Sequence, residues 1–256
     1  MDKRKIIVRD ISWLAFNGRV LQEAGDQTVP LRERIKFLGI FSNNLDEFFR
    51  VRVATLRRMT ELGSKEHMHL EHAPGKILNE INSKVTNQQN QFNRTWGIIT
   101  EELTRRKIFI LNEQQLNKEQ QEFVLTYFSD YVRSNIVPLM LENLRVFPTL
   151  NDKSIYLACK LSKADGSVPQ RFALVSVPTR LSRFIILPSK ENNNYLILLE
   201  DVIRFCLPQI FSFFGYDTFS SNIIKVTRDA EIDIDNDIST SLIQKIEKGL
   251  KNRKKG

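Results

Sequence analysis

The stretch Ile35 to Met59, IKFLGIFSNNLDEFFRVRVATLRRM, constrains this chain more than any other. Its apolar residues recur at helical spacing on both sides of Asn43-Asn44. On an ideal wheel Phe37, Ile40, Phe41, Phe48 and Val51 fall near one stripe. Asn44 falls in that stripe too, four residues after Ile40 and four before Phe48. A carboxamide on an apolar face has to find partners, because leaving it buried and unpaired costs on the order of 1–3 kcal/mol. Two readings follow. The amide is bonded to neighbouring protein groups, or it is held for a ligand. Asp46–Arg50 and Glu47–Arg50 are spaced to pair along the helix, and Arg52, Arg57 and Arg58 follow, so a nucleotide or polyanion suits the second reading.

Helical spacing continues on either side. Asp10 or Ser12 is placed to cap a first helix reaching Ala24, with Trp13, Phe16, Val20 and Ala24 expected inward. Pro30 suits the first turn of the next helix, which carries the central stretch to about Leu62. Gly39, Ser42 and the two Asn residues are weak helix formers, so a kink is expected near Ser42-Asn43. Pro74-Gly75 opens a third helix to Arg106. Its seam is Ile77, Ile81, Val85, Gln88, Phe92, Trp96, Ile99 and Leu103, at close to the helical period. Residues 1–106 therefore read as a helical bundle.

Beyond Arg106 the period changes. KIFILN (107–112) reads as a strand, and Asn117 caps a helix to about Ser134 with Phe123, Tyr127, Phe128 and Tyr131 inward. Residues 135–151, with two prolines, read as extended or irregular. SIYLACKLS, QRFALVSVP, RFIILP and NNYLILLED read as strands, the first two forming a hairpin around the Asp165-Gly166 turn. Asp201 to Phe214 reads as helix broken at Pro208, NIIKVTRD as a strand, and Ile238 to Lys251 as a helix. The fold class is thus α followed by α+β: a helical domain, residues 1–106, then a mixed domain with an antiparallel sheet and helices, residues 107–256.

Charge follows the same division. The first 106 residues hold 18 Lys/Arg against 13 Asp/Glu, and the last nine hold five basic residues and no acid, within a net charge of +8. Attraction to a polyanion, or simply solvated helix faces, accounts for this. Cys159 and Cys206 lie far apart in apolar contexts and read as buried free thiols. No apolar run reaches membrane-spanning length, and the N-terminus lacks the apolar core of a secretory signal. His67, His69 and His72 cluster in a loop without Cys or Asp, so a solvated loop is favoured over a metal site. The acidic run Glu231 to Asp237 lacks the glycine and closing glutamate of a calcium loop. There is no Gly-rich phosphate loop and no nucleophile–base arrangement.

The run Ile11-Ser-Trp-Leu-Ala-Phe-Asn-Gly-Arg-Val-Leu-Gln-Glu-Ala24, then Pro30 to Phe49 and Val51-Arg-Val-Ala54, closely resembles the N-terminal domain of bacterial polyphosphate kinase. Lys225-Val-Thr-Arg-Asp-Ala-Glu231 resembles the head domain of that family. The resemblance implies an enzyme that reversibly moves the terminal phosphoryl of ATP onto polyphosphate through a phosphohistidine. That histidine and the metal ligands belong to C-terminal domains of the family that this sequence does not include. It implies that Asn44, in the intact S-N-N-L-D-E-F motif, contacts ATP, and that the second domain makes dimer contacts. On this reading no catalytic residue and no metal ligand lies in the chain, and the 256 residues alone are inactive. ATP, ADP and polyphosphate are the expected partners, Mg2+ is expected in the intact enzyme, and a homodimer or homotetramer is implied. No nucleic acid is expected. The location is cytoplasmic, with peripheral association at the inner membrane face left open. The alternative is a non-catalytic basic module binding polyphosphate or nucleic acid.

Overall fold

The computed structural model describes residues 8–61, 73–142, 148–190 and 192–229. The histidine loop, the acidic run and the helix expected over residues 238–251 lie outside these. The chain divides into two compact units, the division falling between Glu102 and Leu103; Asp229 groups with the first unit.

The first unit is helical. Helix α1 spans Arg9–Gly25 and α2 Leu31–Phe48. Between them Asp26 closes a tight turn, its Oδ1 accepting from the Thr28 N–H at 2.8 Å and the Thr28 hydroxyl at 2.7 Å. These bonds hold the Asp26 carboxyl below the usual carboxylate range. Neither Asp10 nor Ser12 caps α1: Val8 occupies that position without a side-chain bond, and Asp10 lies in the first turn. Pro30 precedes the first helical residue of α2. No kink occurs at Ser42-Asn43, where α2 is continuous. The irregularity comes later, as one π-helical turn over Phe49–Val53, after which α3 runs Ala54–Glu61. Helix α4 covers Pro74–Arg105.

The inward faces of α1 and α2 share Ala24, Phe41 and Phe48 with those expected but are otherwise turned. In α1 the buried line is Ile11, Leu14, Asn17, Leu21 and Ala24, while Phe16 is 59% exposed. In α2 it is Leu31, Arg34, Leu38, Phe41 and Phe48, and Ile40 is 46% exposed. In α4 Thr95 is buried and Trp96 is 39% exposed, beside the expected and buried Ile81, Val85 and Ile99. Burying each large aliphatic or aromatic side chain contributes about 1.5–3 kcal/mol, so these lines fix the helix orientations. Trp13 stacks on Phe48 at 4.6 Å between ring centroids, joining α1 to α2, and Phe41 meets Phe92 of α4 at 5.9 Å. Gly18 gives α4 room: a Cβ there would lie 2.8 Å from Gln88 Nε2, which donates to the Leu14 carbonyl at 2.7 Å.

The second unit is α+β. Strand β1 (Ile108–Leu111) is followed by α5 (Lys118–Tyr127), whose N-terminus carries a reciprocal cap between Asn117 and Gln120. A π turn and a short 3-10 turn extend α5 to Asn135, with Val124, Phe128 and Val132 inward and Tyr131 exposed. Strands β2 (Pro138–Met140), β3 (Ser154–Ser162), β4 (Arg171–Ser176), β5 (Phe184–Leu187) and β6 (Asn194–Leu198) come next. Gly166, at φ 68°, takes the turn between β3 and β4. Helix α6 starts directly after β6 as Leu199–Phe205, two residues earlier than expected. The break before α7 (Leu207–Phe211) falls at Cys206, and Pro208 sits in the first turn of α7. Strand β7 spans Thr218–Val226.

Among the described residues the strands form two sheets. One is antiparallel, in order β2-β4-β3-β7; the other runs β1-β6-β5, with β1 and β6 parallel. One core joins both, including Leu157, Leu161, Val175, Ile185, Leu187, Ile197, Val202 and Phe211. Cys159 and Cys206 are buried there as free thiols, and burial pushes both up to about 12.

Candidate functional site

Within the helical unit a cleft of about 430 Å³ opens between α1 and the end of α2, lined by Arg9, Asp10, Trp13, Asn44, Glu47, Phe48, Val51 and Arg52. The sequence arithmetic that builds it is simple. Asp10 and Trp13 lie three residues apart on α1, and Asn44, Glu47 and Phe48 lie at steps of three and one on α2. Each set therefore shares a helix face. The π turn then adds one residue to the helix. The buried line passes from Phe48 to Val53, a step of five, and Val51 and Arg52 are left on the cleft.

Asn44 is half-buried and its amide is tied down. Its Nδ2 donates to Asn17 Oδ1 at 3.1 Å. Asn17, fully buried, donates its own Nδ2 to the Phe41 carbonyl at 3.2 Å. Asn44 Oδ1 has no hydrogen-bond partner among the described residues. Both readings of this amide thus meet at one residue: one end is bonded to protein, and the other is available in a cleft.

The charged groups of the cleft largely neutralise each other. Arg52 grips Asp10 with two bonds, Nε to Oδ1 at 2.8 Å and Nη2 to Oδ2 at 3.2 Å. That hydrogen bonding raises the Arg52 guanidinium above its ordinary value. Glu47 lies 3.7 Å from Arg50. Arg9 is exposed and has no ion-pair partner among the described residues. The walls are therefore mainly aromatic and aliphatic, with one oriented amide and one free cation at the rim. Flat apolar walls with a directional amide suit a heterocyclic base better than a row of phosphates.

The Mg2+ expected of the family does not fit these residues. Both cleft carboxylates are engaged by arginines, and among the described residues no group of three or more His, Cys, Asp or Glu could hold a metal. His67, His69 and His72 lie outside the described residues. Among the described residues no helix is long and apolar enough to cross a membrane. In the second unit Arg228 offers its backbone N–H to Asp152 Oδ1 at 2.8 Å; within the first, Asp229 pairs with Arg58.

Asn17, Asp10, Trp13 and the π turn were not legible as site features. Asn17 lies 27 residues from Asn44, and only the crossing of α1 and α2 joins them. An Asn on a buried helix line, between Leu14 and Leu21, was the available signal.

Comparison with known proteins follows this architecture. The family model "Polyphosphate kinase N-terminal domain" matches residues 6–111, and "Polyphosphate kinase middle domain" matches residues 119–256. A polyphosphate kinase of Vibrio parahaemolyticus is 40% identical over 252 residues, covering 96% of this chain and 36% of its own length. The Escherichia coli K12 polyphosphate kinase is 37% identical, covering 99% of this chain and 37% of its own. The crystal structure of polyphosphate kinase from Porphyromonas gingivalis superposes with a TM-score of 0.78 at 30% identity, over 96% of this chain and 37% of that one. The chain belongs to the polyphosphate kinase family. It spans little more than a third of the length of these relatives.

Proposed function

We propose that this chain is the N-terminal part of an ATP:polyphosphate phosphotransferase, and that its cleft receives the base of ATP. In this reading Trp13, Phe48 and Val51 form the apolar walls, Asn44 reads the base edge, and Arg9 meets the phosphates as they leave the cleft. The observation that carries the reading is the coincidence of a family match with an aromatic cleft holding a half-satisfied, pre-oriented amide. Phosphoryl transfer depends on positioning and on neutralising phosphate oxygens. The helical unit supplies the first through the base. The second, with the histidine that accepts the phosphoryl and any Mg2+, falls to groups other than those of this cleft.

The α+β unit is read as the part that makes subunit contacts in a homodimer or homotetramer. Its support is one apolar sheet face: Phe184 and Ile186 on the edge strand are 58% and 71% exposed. Leu198 and Leu196 stand opposite them on β6, and Ile110 of β1 extends the row.

Calorimetry with the 256-residue chain tests the site. ATP is expected to bind, and Asn44→Ala to weaken it by roughly tenfold, the worth of one or two good hydrogen bonds. Unchanged ATP binding in a folded Asn44→Ala chain refutes the assignment. Salt-dependent polyphosphate binding without any ATP binding supports the non-catalytic basic module instead. The purified chain is expected to form no polyphosphate from ATP, and measurable turnover would overturn that division of labour.

A further inference from the structure

The relay from the Phe41 carbonyl through Asn17 to Asn44 has a direction, and the main chain sets it. A carboxamide donates at one end and accepts at the other, whereas a backbone carbonyl only accepts. The Phe41 carbonyl, 3.2 Å from Asn17, therefore requires the amino end of Asn17. Asn17 is left presenting Oδ1 to Asn44, and only the amino end of Asn44 can answer it, at 3.1 Å. Turning either amide over would set two acceptors or two donors against each other. Because Asn17 has no exposed surface, no solvent can repair the mismatch. Asn44 is thus locked, with Oδ1 as an acceptor that has no partner among the described residues, in a cleft walled by Trp13, Phe48 and Val51.

We propose that Asn17 is a positioning residue that holds Asn44 as a fixed acceptor, and that this makes the cleft select a 6-aminopurine over a 6-oxopurine. The proposal rests on the nucleotide reading of the cleft. An unrestrained asparagine would serve both bases, because half a turn about its last bond exchanges C=O for NH2. A restrained one cannot make that exchange. The 6-amino group of adenine donates to Oδ1, and the remaining N–H of Asn44 can meet the adjacent ring nitrogen, the bidentate pairing that an amide makes with adenine. A 6-oxo group in the same place sets lone pair against lone pair. The amide can relieve that only by breaking its bond to Asn17 and setting Oδ1 against Oδ1.

The test compares ATP with ITP, which differ only along the N1–C6 edge of the base. The 256-residue chain is titrated by calorimetry as wild type, Asn17→Ala, Asn17→Ser and Asn44→Ala, with folding checked by helical circular dichroism. Wild type is expected to prefer ATP by roughly tenfold or more. Either folded Asn17 variant is expected to bring the two within about threefold, as the amide regains its freedom. A merely structural role would weaken both nucleotides alike and leave the ratio unchanged, which would overturn the proposal. No binding of either nucleotide by wild type, or no effect of Asn44→Ala, would overturn the nucleotide reading and the selectivity with it. A ligand-free readout stands beside these. The two side-chain amide protons of Asn44 are expected to exchange slowly and stay resolved by NMR in wild type, and to lose that protection in a folded Asn17 variant. Unaltered Asn44 protons would show that Asn17 does not hold the amide.

Discussion

Arg34 is the polar group on which the orientation of α2 depends most, and replacing it separates packing from charge. It is 1% exposed, with Nε donating to the Ala24 carbonyl at the end of α1 and Nη1 to Glu102 of α4, both at 2.9 Å. Its Nη2 is buried without a hydrogen-bond partner. Arg34→Ala removes two buried methylenes, worth roughly 1.5 kcal/mol in transfer. It also removes the bond to Ala24, worth about 1 kcal/mol. Glu102 is 25% exposed, so water takes over much of its partner's role and the ion pair adds about 1 kcal/mol at most. Against these, the orphaned Nη2 and the desolvated charge disappear, returning on the order of 1–2 kcal/mol. The expected net cost is about 2 kcal/mol. Arg34→Met keeps the apolar stem and discards the same charge and orphan, so its expected cost is under about 1 kcal/mol. Urea unfolding followed by tryptophan fluorescence reads this directly, because both tryptophans, Trp13 and Trp96, lie in the helical unit. The slope of free energy against urea has to be the same in the three proteins. An Arg34→Met chain as unstable as Arg34→Ala would refute the reasoning, since the stabilisation would then reside in the ion pair and not in the stem.

Two further predictions concern the second unit. Asp201 is pushed up to about 6, first by burial and then by Glu113 and Glu200, against the lowering pull of Arg204 and Arg183. Its folded value thus lies above the ordinary 3.8, so the folded state binds the proton more tightly than the unfolded chain. The stability due to this carboxyl is fully present below about pH 4, falls as pH rises to about 6, and is level above that. The Asp201 side-chain carbon should titrate by NMR with a midpoint near 6, and a midpoint at the ordinary value would contradict the burial argument. Cys159 and Cys206, both buried with thiols near 12, should resist alkylation in the folded chain at pH 8 and both react in denaturant. Rapid labelling of either in the native state would show that its part of the core opens.

Most of the order of elements was readable because most carry a local signature; β2 and the π turns do not. Strand β3 coincides with the SIYLACKLS run, where burial alternates along much of its length. Asn117 caps α5 as its position before the helical run implied. The phase of the helices was less legible. Trp13, Phe16 and Val20 drew the expected face of α1 toward the bulkiest residues, but the line nearest the neighbouring helices is the smaller aliphatic one, Ile11, Leu14, Leu21 and Ala24. Close packing favours side chains that let backbones approach, as Gly18 does against Gln88, and a large ring on the flank is left to solvent.

The same limit explains why Asn44 could be found and its surroundings could not. Its unusual place in an apolar stripe is visible in one helix, but what it does depends on Asn17 and Asp10 on another. A uniform 3.6-residue period also carries Phe48 to Val51 as the next inward position. The π turn over Phe49–Val53 widens the helix by one residue and sends Val53 inward in its stead. That single inserted residue leaves Val51 on the apolar wall and brings Arg52 to Asp10. With a regular α-helix through this stretch, the inward line would keep Val51, and the cleft would lose both a wall and the arginine that neutralises its deepest carboxylate. The cleft is thus a product of the one place where α2 departs from the periodicity by which the rest of the helical unit was read.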